Sequence, residues 1–287
     1  MTELSDKAKI FRKFDLSGRV AIVTGGAGLL GVEFCRTLAE AGSKVVIVDI
    51  NHAAVTSIAE SLVYGGYNAI GLETDITDKN AVRTMVSTTL KTFGRLDILV
   101  NSAAMDPKFD NHLDGPQSVL SKSEHISTFE NYPLDAWNQA LDVNLTGTFL
   151  CCQAGVGPML DQGGGAIINL SSIYGLGGPD QQIYNSPDRP PQYKPAYYSV
   201  TKAGILGLTK YLSTYYAGKN IRVNALTPGG VFNDHDENFV REYAARTVLG
   251  RMAKKDEMNA ALLFLASDAS SYMTGSNLIV DGGWTAW

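Results

Sequence analysis

The chain has 287 residues, 45% of them hydrophobic and 18% charged, which is an ordinary composition for one large globular α/β domain. Its formal net charge is −5 and it contains no basic run, so we expect neither nucleic acid nor an anionic membrane surface as a partner. No apolar run approaches the roughly eighteen residues of a membrane span, and no secretory signal is evident. The three cysteines lack metal-site spacing, so we expect reduced, buried thiols in a cytoplasmic protein.

Strand-like apolar runs alternate with helix-like stretches along the chain. The runs occur at residues 19–24, 44–49, 67–75, 96–104, 165–172, 221–226 and 277–282. Long helices are predicted over 134–160 and 195–218, and Asp78 is the predicted cap of another helix. This alternation predicts a doubly wound parallel sheet of the Rossmann type, with about seven strands and helices on both faces. Residues 1–17 are predicted to form a loose N-terminal arm, and residues 18–287 a single domain.

Two inserts interrupt this alternation, at residues 106–131 and 174–195. Both are long, polar, and rich in proline, glycine, aspartate and asparagine. One follows the fourth predicted strand and the other follows the fifth. Because ligands of open α/β sheets bind beyond the carboxyl ends of the strands, these positions predict a role for both inserts at a ligand site.

The segment VTGGAGLLG, at residues 23–31, joins the first predicted strand to the first helix. Its glycines recur every three residues, at Gly25, Gly28 and Gly31. Such a turn lets a pyrophosphate approach the backbone at the start of a helix. The next predicted strand ends at Asp49, whose carboxylate is suited to bind the ribose hydroxyls of an adenosine and to repel a 2′-phosphate. The two residues that follow Asp49 are not basic, so the sequence predicts NAD in preference to NADP.

One tyrosine of the segment 171–202 has the spacing that proton transfer requires. The ordinary pKa of tyrosine is near 10, so a catalytic tyrosine needs a nearby cation, and residues i and i+4 share a helix face. Within this segment only Tyr198 is followed four positions later by a lysine, Lys202. Tyr215 and Lys219 repeat the spacing at the end of the same predicted helix, where we interpret them as an exposed pair without a role.

Six motifs occur in order along the chain: the turn at 24–31, NSAA at 101–104, DVNLTG at 142–147, NLSS at 169–172, YSVTK at 198–202 and TPGG at 227–230. Over residues 16–284 the sequence therefore resembles the short-chain dehydrogenase/reductase family, in its single-domain branch. The resemblance implies a nicotinamide-dependent enzyme that interconverts an alcohol and a ketone. It also implies a homodimer or homotetramer built through the helices predicted at 134–160 and 195–218.

The resemblance further implies a role for each matching residue. Tyr198 exchanges the proton of the carbinol oxygen, and Ser172 hydrogen-bonds that oxygen, whereas Ser171 packs or bonds the backbone. Lys202 lowers the pKa of the tyrosine and binds the nicotinamide ribose, and Asn144 holds a water of a proton relay. The implied cofactor contacts are Gly25, Gly28, Leu30, Gly31, Asp49, Asp75, Ile76, Asn101, Ala103, Tyr198, Lys202, Pro228, Gly229 and Val231.

The chain departs from the family pattern in two respects. Leu29 stands where the family turn usually has glycine, and Ser172 and Tyr198 are 26 positions apart, roughly double the usual gap. The enlarged inserts carry the polar residues Asp106, Lys108, Asp110, His112, Lys122, His125, Asp180, Gln181, Gln182, Asn185, Arg189, Tyr193 and Lys194. This inventory predicts a polyhydroxylated and possibly anionic substrate, because an acyl chain or a steroid needs apolar walls.

The chain is also similar to a subset of the family that is linked to flagellin modification and nine-carbon sugar acids. This similarity implies a sugar, a sugar acid or a nucleotide-linked sugar as substrate, within carbohydrate metabolism. Two alternatives remain open: an NADPH-dependent reductase of 3-oxoacyl thioesters, and a non-catalytic NAD-binding protein. We expect no metal, because His112 and His125 have no clear third ligand.

Overall fold

The chain forms one parallel sheet with helices on both faces. A computed structural model describes residues 9–106, 128–185 and 191–287, and the other residues of the predicted arm and inserts lie outside the described ranges. The strands are β1 (Val20–Thr24), β2 (Lys44–Asp49), β3 (Ala69–Glu73), β4 (Ile98–Asn101), β5 (Gly165–Leu170), β6 (Ile221–Pro228) and β7 (Asn277–Val280). Over the described ranges these seven strands are all parallel, in the order β3-β2-β1-β4-β5-β6-β7.

The helices are α1 (Leu29–Glu40), α2 (His52–Tyr64), α3 (Lys79–Phe93), α4 (Leu134–Leu141), α5 (Thr148–Asp161), α6 (Ala196–Tyr215), α7 (Glu237–Ala244) and α8 (Asn259–Ala266). Helices α1, α2 and α8 bury their apolar side chains on one face of the sheet, in a cluster that includes Phe34 and Leu262. Helices α3, α5 and α6 cover the other face, around Met85 and Met159. The predicted doubly wound fold is thereby confirmed.

Local sequence signals set the helix boundaries. Asp78 accepts a hydrogen bond from the backbone of Asn80 at 2.7 Å and caps α3, as predicted. Gly94, with φ of 82°, ends the same helix in the left-handed conformation that favours glycine. The helix predicted over 134–160 is continuous but contains one wider π-helical turn, Asp142–Gly147, between α4 and α5. Such turns are rare and occur frequently at functional sites.

The described part of the second insert is packed against the domain. It forms short 3-10 turns at Ile173–Gly175 and Gln181–Tyr184. Four of its apolar side chains are buried together with Tyr243 and Met252, namely Ile173, Tyr174, Ile183 and Tyr184. The composition of this insert is polar, but its buried residues give it a core of its own beside the sheet.

The described end of the predicted N-terminal arm is tied to the domain. Leu16 is fully buried in the cluster around Phe34, and its N–H donates to the carbonyl oxygen of Ala41 at 2.8 Å. All three cysteines, Cys35, Cys151 and Cys152, are buried free thiols, which confirms that prediction. No helix in the described ranges is long and apolar enough to cross a membrane.

Candidate active site

The carboxyl ends of the central strands meet at one edge of the sheet. Thr24 of β1 pairs with Asn101 of β4, and Asn101 pairs in turn with Asn169 of β5. The connection after β1 leads to β2 on one side, whereas β4 lies on the other side, so a crevice opens between the loops that follow β1 and β4. The glycine turn and the first insert both begin at this crevice.

The glycine turn leaves no room for side chains. A Cβ atom at Gly25, where φ is +63°, would lie 2.6 Å from Ala103 Cα, and one at Gly31 would lie 2.0 Å from the Gly25 carbonyl oxygen. Helix α1 begins after Gly28 with no side-chain cap and no acidic residue in its first turn. Its first N–H groups and the positive end of its dipole therefore suit an anion such as a pyrophosphate.

Thr24 joins the two loops of the crevice, although the sequence analysis assigned it no role. Its hydroxyl oxygen accepts hydrogen bonds from the backbone N–H groups of Ser102 at 3.2 Å and Ala103 at 3.3 Å. These bonds hold the loop after β4 against the glycine turn. The threonine that begins the turn motif was the available signal.

Asn101 turns its side chain away from the crevice. Its Nδ2 donates to Asn169 Oδ1 at 2.8 Å and contacts Cys152 Sγ, within the core beneath the site. Asn169 in turn donates to the hydroxyl of Thr209 on α6 at 3.0 Å. This buried network fixes β4, β5 and α6 to one another, so the Asn101 side chain has a structural position.

Asp49 lies beside the glycine turn at the end of β2. One carboxylate oxygen accepts from the backbone N–H of Ala27 at 3.2 Å, and the other from Asn51 at 3.2 Å. Its chain neighbours Ile50 and Asn51 are uncharged, and Ile50 is exposed. The carboxylate is thus held against the turn in a surrounding where a ribose hydroxyl can reach it.

The remaining predicted cofactor residues lie at the same edge of the sheet. Asp75 is exposed and caps its own turn by accepting from the backbone and hydroxyl of Thr77. Ile76 is buried against the π-helical turn, where a Cβ atom at Gly147 would lie 2.7 Å from its side chain. The others lie in the glycine turn, after β4, or at and beyond the end of β6, namely Leu30, Ala103, Pro228, Gly229 and Val231.

Three elements bring the predicted catalytic residues together. Ser172 lies two residues after the end of β5, Tyr198 and Lys202 lie in the first turns of α6, and Asn144 lies in the π-helical turn. Lys202 Nζ donates to the Leu170 carbonyl oxygen at 2.8 Å and lies 5.8 Å from the ring centroid of Tyr198. The Ser172 hydroxyl interacts with that of Tyr198 and lowers the pKa of the phenol.

Hydrogen bonds from two further side chains, those of Asn144 and Ser171, hold this arrangement in place. Asn144 Nδ2 donates to the hydroxyl of Thr201 at 3.3 Å and to the Met105 carbonyl oxygen at 3.1 Å, while its Oδ1 accepts from Met105 N at 2.6 Å. Ser171 donates its hydroxyl to the Lys202 carbonyl oxygen at 2.8 Å. The prediction that Ser171 bonds the backbone is confirmed.

Burial shifts the protonation of both the tyrosine and the lysine. It raises the pKa of Tyr198 well above its usual value near 10; the Asp106 carboxylate raises it further, and the Ser172 hydrogen bond lowers it. Burial also lowers the pKa of Lys202 to about 8; Asp106 opposes this change and the Lys194 ammonium adds to it. The phenol is therefore neutral at pH 7, and the lysine can exchange a proton near neutral pH.

A second lysine faces the same tyrosine from the other side. Lys194 lies four residues before Tyr198, is buried, and places its Nζ 4.1 Å from the Tyr198 ring centroid. It forms an ion pair with Asp106 of the first insert. The sequence analysis named both residues only among the polar residues of the inserts. The i−4 spacing before Tyr198 was the available signal for Lys194.

Aromatic side chains form much of the wall beside Tyr198. Tyr174 meets the Tyr198 ring edge-on at 6.4 Å between centroids and meets Trp284 in the same way at 6.4 Å. Trp284 stacks on Tyr243 at 4.4 Å, and the hydroxyl of Tyr184 donates to that of Tyr174 at 2.8 Å. The wall is therefore more apolar than the insert composition predicted.

Several polar residues of the second insert are occupied by structural contacts. Asp180 accepts from Arg246 Nε at 2.7 Å, and Gln181 exchanges two hydrogen bonds with the backbone of Lys194. The polar atoms of these two side chains thus have partners within the fold. Lys108, Asp110, His112, Lys122, His125 and Arg189 lie outside the described residues. Within the described ranges no group of three metal-ligating side chains occurs.

Comparison with known proteins agrees with this fold and site. A family model described as enoyl-(acyl carrier protein) reductase matches residues 27–285. A cis-4-hydroxycyclohexanecarboxylate dehydrogenase of Sinomonas cyclohexanicum is 35% identical over 273 residues, which cover 93% of this chain and 97% of the relative. A D-threitol dehydrogenase of Mycolicibacterium smegmatis is 33% identical over 279 residues, 95% of each protein.

A solved structure extends the similarity to three dimensions. The gluconate 5-dehydrogenase from Burkholderia cenocepacia, in complex with NADP and tartrate, has a TM-score of 0.78 and 30% identity, with 96% of this chain and 99% of that chain covered. The sheet order, the sequence motifs and these relatives all lead to one assignment. The chain belongs to the short-chain dehydrogenase/reductase family and is a dehydrogenase or reductase that acts on hydroxyl groups.

Proposed function

We propose that the protein interconverts a secondary alcohol and a ketone on a small, polar, sugar-like or sugar-acid substrate, with NAD as its cofactor. The observation that carries this proposal is the convergence of Ser172, Tyr198 and Lys202 at the end of β5, beside the glycine turn. The nicotinamide, when bound, supplies or accepts the hydride. The side chains of this chain bind the substrate oxygen and move its proton.

Each catalytic residue then has a distinct task. Tyr198 donates its proton to the carbonyl oxygen during reduction and removes it from the alcohol during oxidation. Ser172 hydrogen-bonds the same oxygen, and Lys202, whose pKa burial lowers to about 8, passes a proton to and from the tyrosine. Because burial keeps the phenol of Tyr198 neutral at pH 7, the resting protein is poised as a proton donor. We assign Asn144 to the water that continues this relay.

We also propose a set of cofactor contacts along the crevice. Gly25, Gly28 and Gly31 carry no side chains, so a pyrophosphate can approach the backbone of the turn. We assign Asp49 to the ribose hydroxyls of the adenosine, with Asp75 and Ile76 beside the adenine. The remaining proposed contacts are Leu30, Asn101 through its backbone, Ala103, Tyr198, Lys202, Pro228, Gly229 and Val231.

Two observations support a polar, hydroxylated substrate, one from the relatives and one from the site. The relatives named for D-threitol and for cis-4-hydroxycyclohexanecarboxylate act on a polyol and on a hydroxy acid. In this chain Lys194 and Asp106 place charged groups beside Tyr198. The description of the matching family model favours a second candidate, a reductase that acts on an acyl-carrier substrate with NADPH. The cytoplasmic location and the place in carbohydrate metabolism stay predictions.

A substrate panel tests the reaction and the role of Tyr198 together. We expect NADH formation with some members of a set of polyols, sugars and sugar acids, and no NADPH oxidation with acyl ketones. Tyr198→Phe should lower kcat by about 10²- to 10⁴-fold, since the proton donor is lost. Tyr215→Phe is the matched control, because Tyr215 has the same spacing to Lys219 and is exposed. Unchanged turnover in Tyr198→Phe would show that another group moves the proton.

Asp49 is expected to determine the choice between NAD and NADP. Asp49→Ser removes both the ribose acceptor and the charge that repels a 2′-phosphate, so the ratio of kcat/KM for NAD over NADP should fall by roughly 10- to 100-fold. The control is Glu73→Gln. Glu73 lies opposite Asp49 in the neighbouring strand β3, and the substitution removes its exposed carboxylate. A wild-type preference for NADP, or an equal change in both variants, contradicts the assignment.

Lys202→Met should abolish activity and yet relieve a stability penalty. Burial lowers the pKa of Lys202 from 10.5 to about 8. Between these pH values the folded protein binds fewer protons than the unfolded chain. The contribution of Lys202 to the free energy of unfolding therefore rises with pH, and its destabilising effect is complete below pH 8. From pH 9.5 to pH 7 the effect of Lys202→Met should therefore shift towards stabilisation by roughly 2 kcal/mol.

Urea unfolding at the two pH values measures this shift. The comparison between pH values isolates the part of the effect that depends on the protonation of Lys202, because the change in packing is the same at both. Lys210→Met, on the exposed face of α6, is the control and should change neither kcat nor the pH dependence of stability. If the stability effect of Lys202→Met is independent of pH, Lys202 carries no buried charge at pH 7.

We also propose that the protein is a homodimer or homotetramer that pairs through α5 and α6. The outer faces of these helices expose apolar side chains, including Phe149, Val200 and Tyr211. Tyr211→Glu should shift the sedimentation velocity of the protein towards that of a monomer, because a charge in a closed apolar interface is costly. The control is Tyr64→Glu at the exposed end of α2. A monomeric wild-type protein would refute the proposal.

A further inference from the structure

The ion pair between Lys194 and Asp106 is asymmetric in its exposure. The side chain of Lys194 is only 7% exposed, whereas that of Asp106 is 52% exposed. The two residues are 88 positions apart in sequence, one in each insert. They meet beside Tyr198, at the place where the substrate oxygen must be received. The ammonium therefore belongs to the interior of the site, and the carboxylate lies on its solvent side.

The backbone of Lys194 is held in position by its own insert. Gln181 Oε1 accepts from the Lys194 N–H at 2.8 Å, and Gln181 Nε2 donates to the Lys194 carbonyl oxygen at 3.0 Å. Pro195, the next residue, occupies the N-cap position of α6. The backbone of Lys194 is thus held on both sides, whereas Asp106 lies in the loop after β4. Of the two partners, the carboxylate is the one that another anion can replace.

A buried ammonium requires an anion close to it, because an unpaired charge in this environment is strongly unfavourable. In the structure Asp106 supplies that anion. Lys194 Nζ lies 4.1 Å from the ring centroid of Tyr198, so a substrate whose alcohol carbon meets Tyr198 and Ser172 brings its neighbouring atoms to this ammonium. We propose that Lys194 binds a carboxylate of the substrate and that this carboxylate takes the place of Asp106.

The aromatic wall sets the shape of such a substrate. Tyr174 meets the Tyr198 ring edge-on and packs in turn against Trp284, and such an aromatic wall suits a ring or a compact carbon skeleton. The inference rests on the proposed alcohol–ketone chemistry and narrows its substrate class. The substrate is a hydroxy carboxylate in which a short carbon skeleton separates the alcohol from the acid group.

Substrate pairs that differ only in charge test this inference. For a hydroxy acid that the protein turns over, the matched compound is its carboxamide, which keeps the size and loses the charge. Wild-type protein should prefer the acid, and Lys194→Met should lower kcat/KM for the acid by about 10- to 100-fold while changing that for the amide less than threefold. Asp106→Asn should raise kcat/KM for the acid, because it removes the competing carboxylate.

These opposite effects separate substrate binding from a structural role. A packing defect lowers kcat/KM for both compounds in both variants. If Lys194 instead acts through Tyr198, Lys194→Met should lower kcat for the acid and the amide equally and shift the pH profile, and this result overturns the proposal. Lys210→Met is the control for removal of a lysine from α6, and it should leave the ratio of acid to amide unchanged.

A binding measurement makes the test independent of turnover. Cyclohexanecarboxylate and cyclohexanecarboxamide, which have no alcohol to oxidise, are compared by thermal shift with and without NADH. We expect cyclohexanecarboxylate, and not cyclohexanecarboxamide, to stabilise the wild-type protein. This stabilisation should be absent in Lys194→Met. If no member of the panel is turned over but the carboxylate still binds through Lys194, the reaction proposal fails alone. If turnover occurs with equal ratios of acid to amide in wild type and Lys194→Met, only the carboxylate inference fails.

Discussion

The hydrogen bond from Lys202 Nζ to the Leu170 carbonyl oxygen fixes α6 against the end of β5, and the site depends on this attachment. On the other side of the same contact, Ser171 donates to the Lys202 carbonyl oxygen. Helix and strand are therefore joined by a reciprocal pair of bonds at the point where β5 ends. Because Ser172 is the next residue and Tyr198 lies one turn before Lys202, both residues are brought to the same end of β5. A small rotation of α6 would break all of these contacts together.

The sequence predicted the fold and the proximity of Tyr198 to Lys202 because their signals are local. Strand and helix periodicities are read over a few residues, and the pairing of Tyr198 with Lys202 is a spacing of four on one helix. The sequence did not predict the direction of the Asn101 side chain, because that direction depends on the strand register that sets Asn101 opposite Asn169. The ion pair of Lys194 and Asp106 joins positions 88 apart, and no periodicity predicts such a contact.

The second insert was misjudged for a similar reason. Its polar composition indicated a hydrophilic wall. Asp180, however, pairs with Arg246, which lies 66 positions away in the loop after α7. With its polar groups bound within the fold, the insert packs Ile183 and Tyr184 inward and presents Tyr174 to Trp284. Composition describes what a loop contains, whereas burial and pairing decide which of its groups reach a ligand.

Two ammonium groups beside one buried tyrosine make this part of the molecule costly for stability. The pKa of Lys202 is lowered to about 8 by burial, and Lys194 contributes to that shift by repulsion. A sequence selected only for stability would place neutral side chains here, because a well-packed apolar group is generally no less stable than a buried ion pair. This cost in stability falls at the place where we propose that the substrate is held and its proton moved, as expected when stability is traded for function. The family contributes the ammonium of Lys202 through its common motif, and the enlarged insert adds that of Lys194. The catalytic motif therefore lies in the core that the family shares, whereas the ion pair beside Tyr198 comes from the inserts that this chain has enlarged.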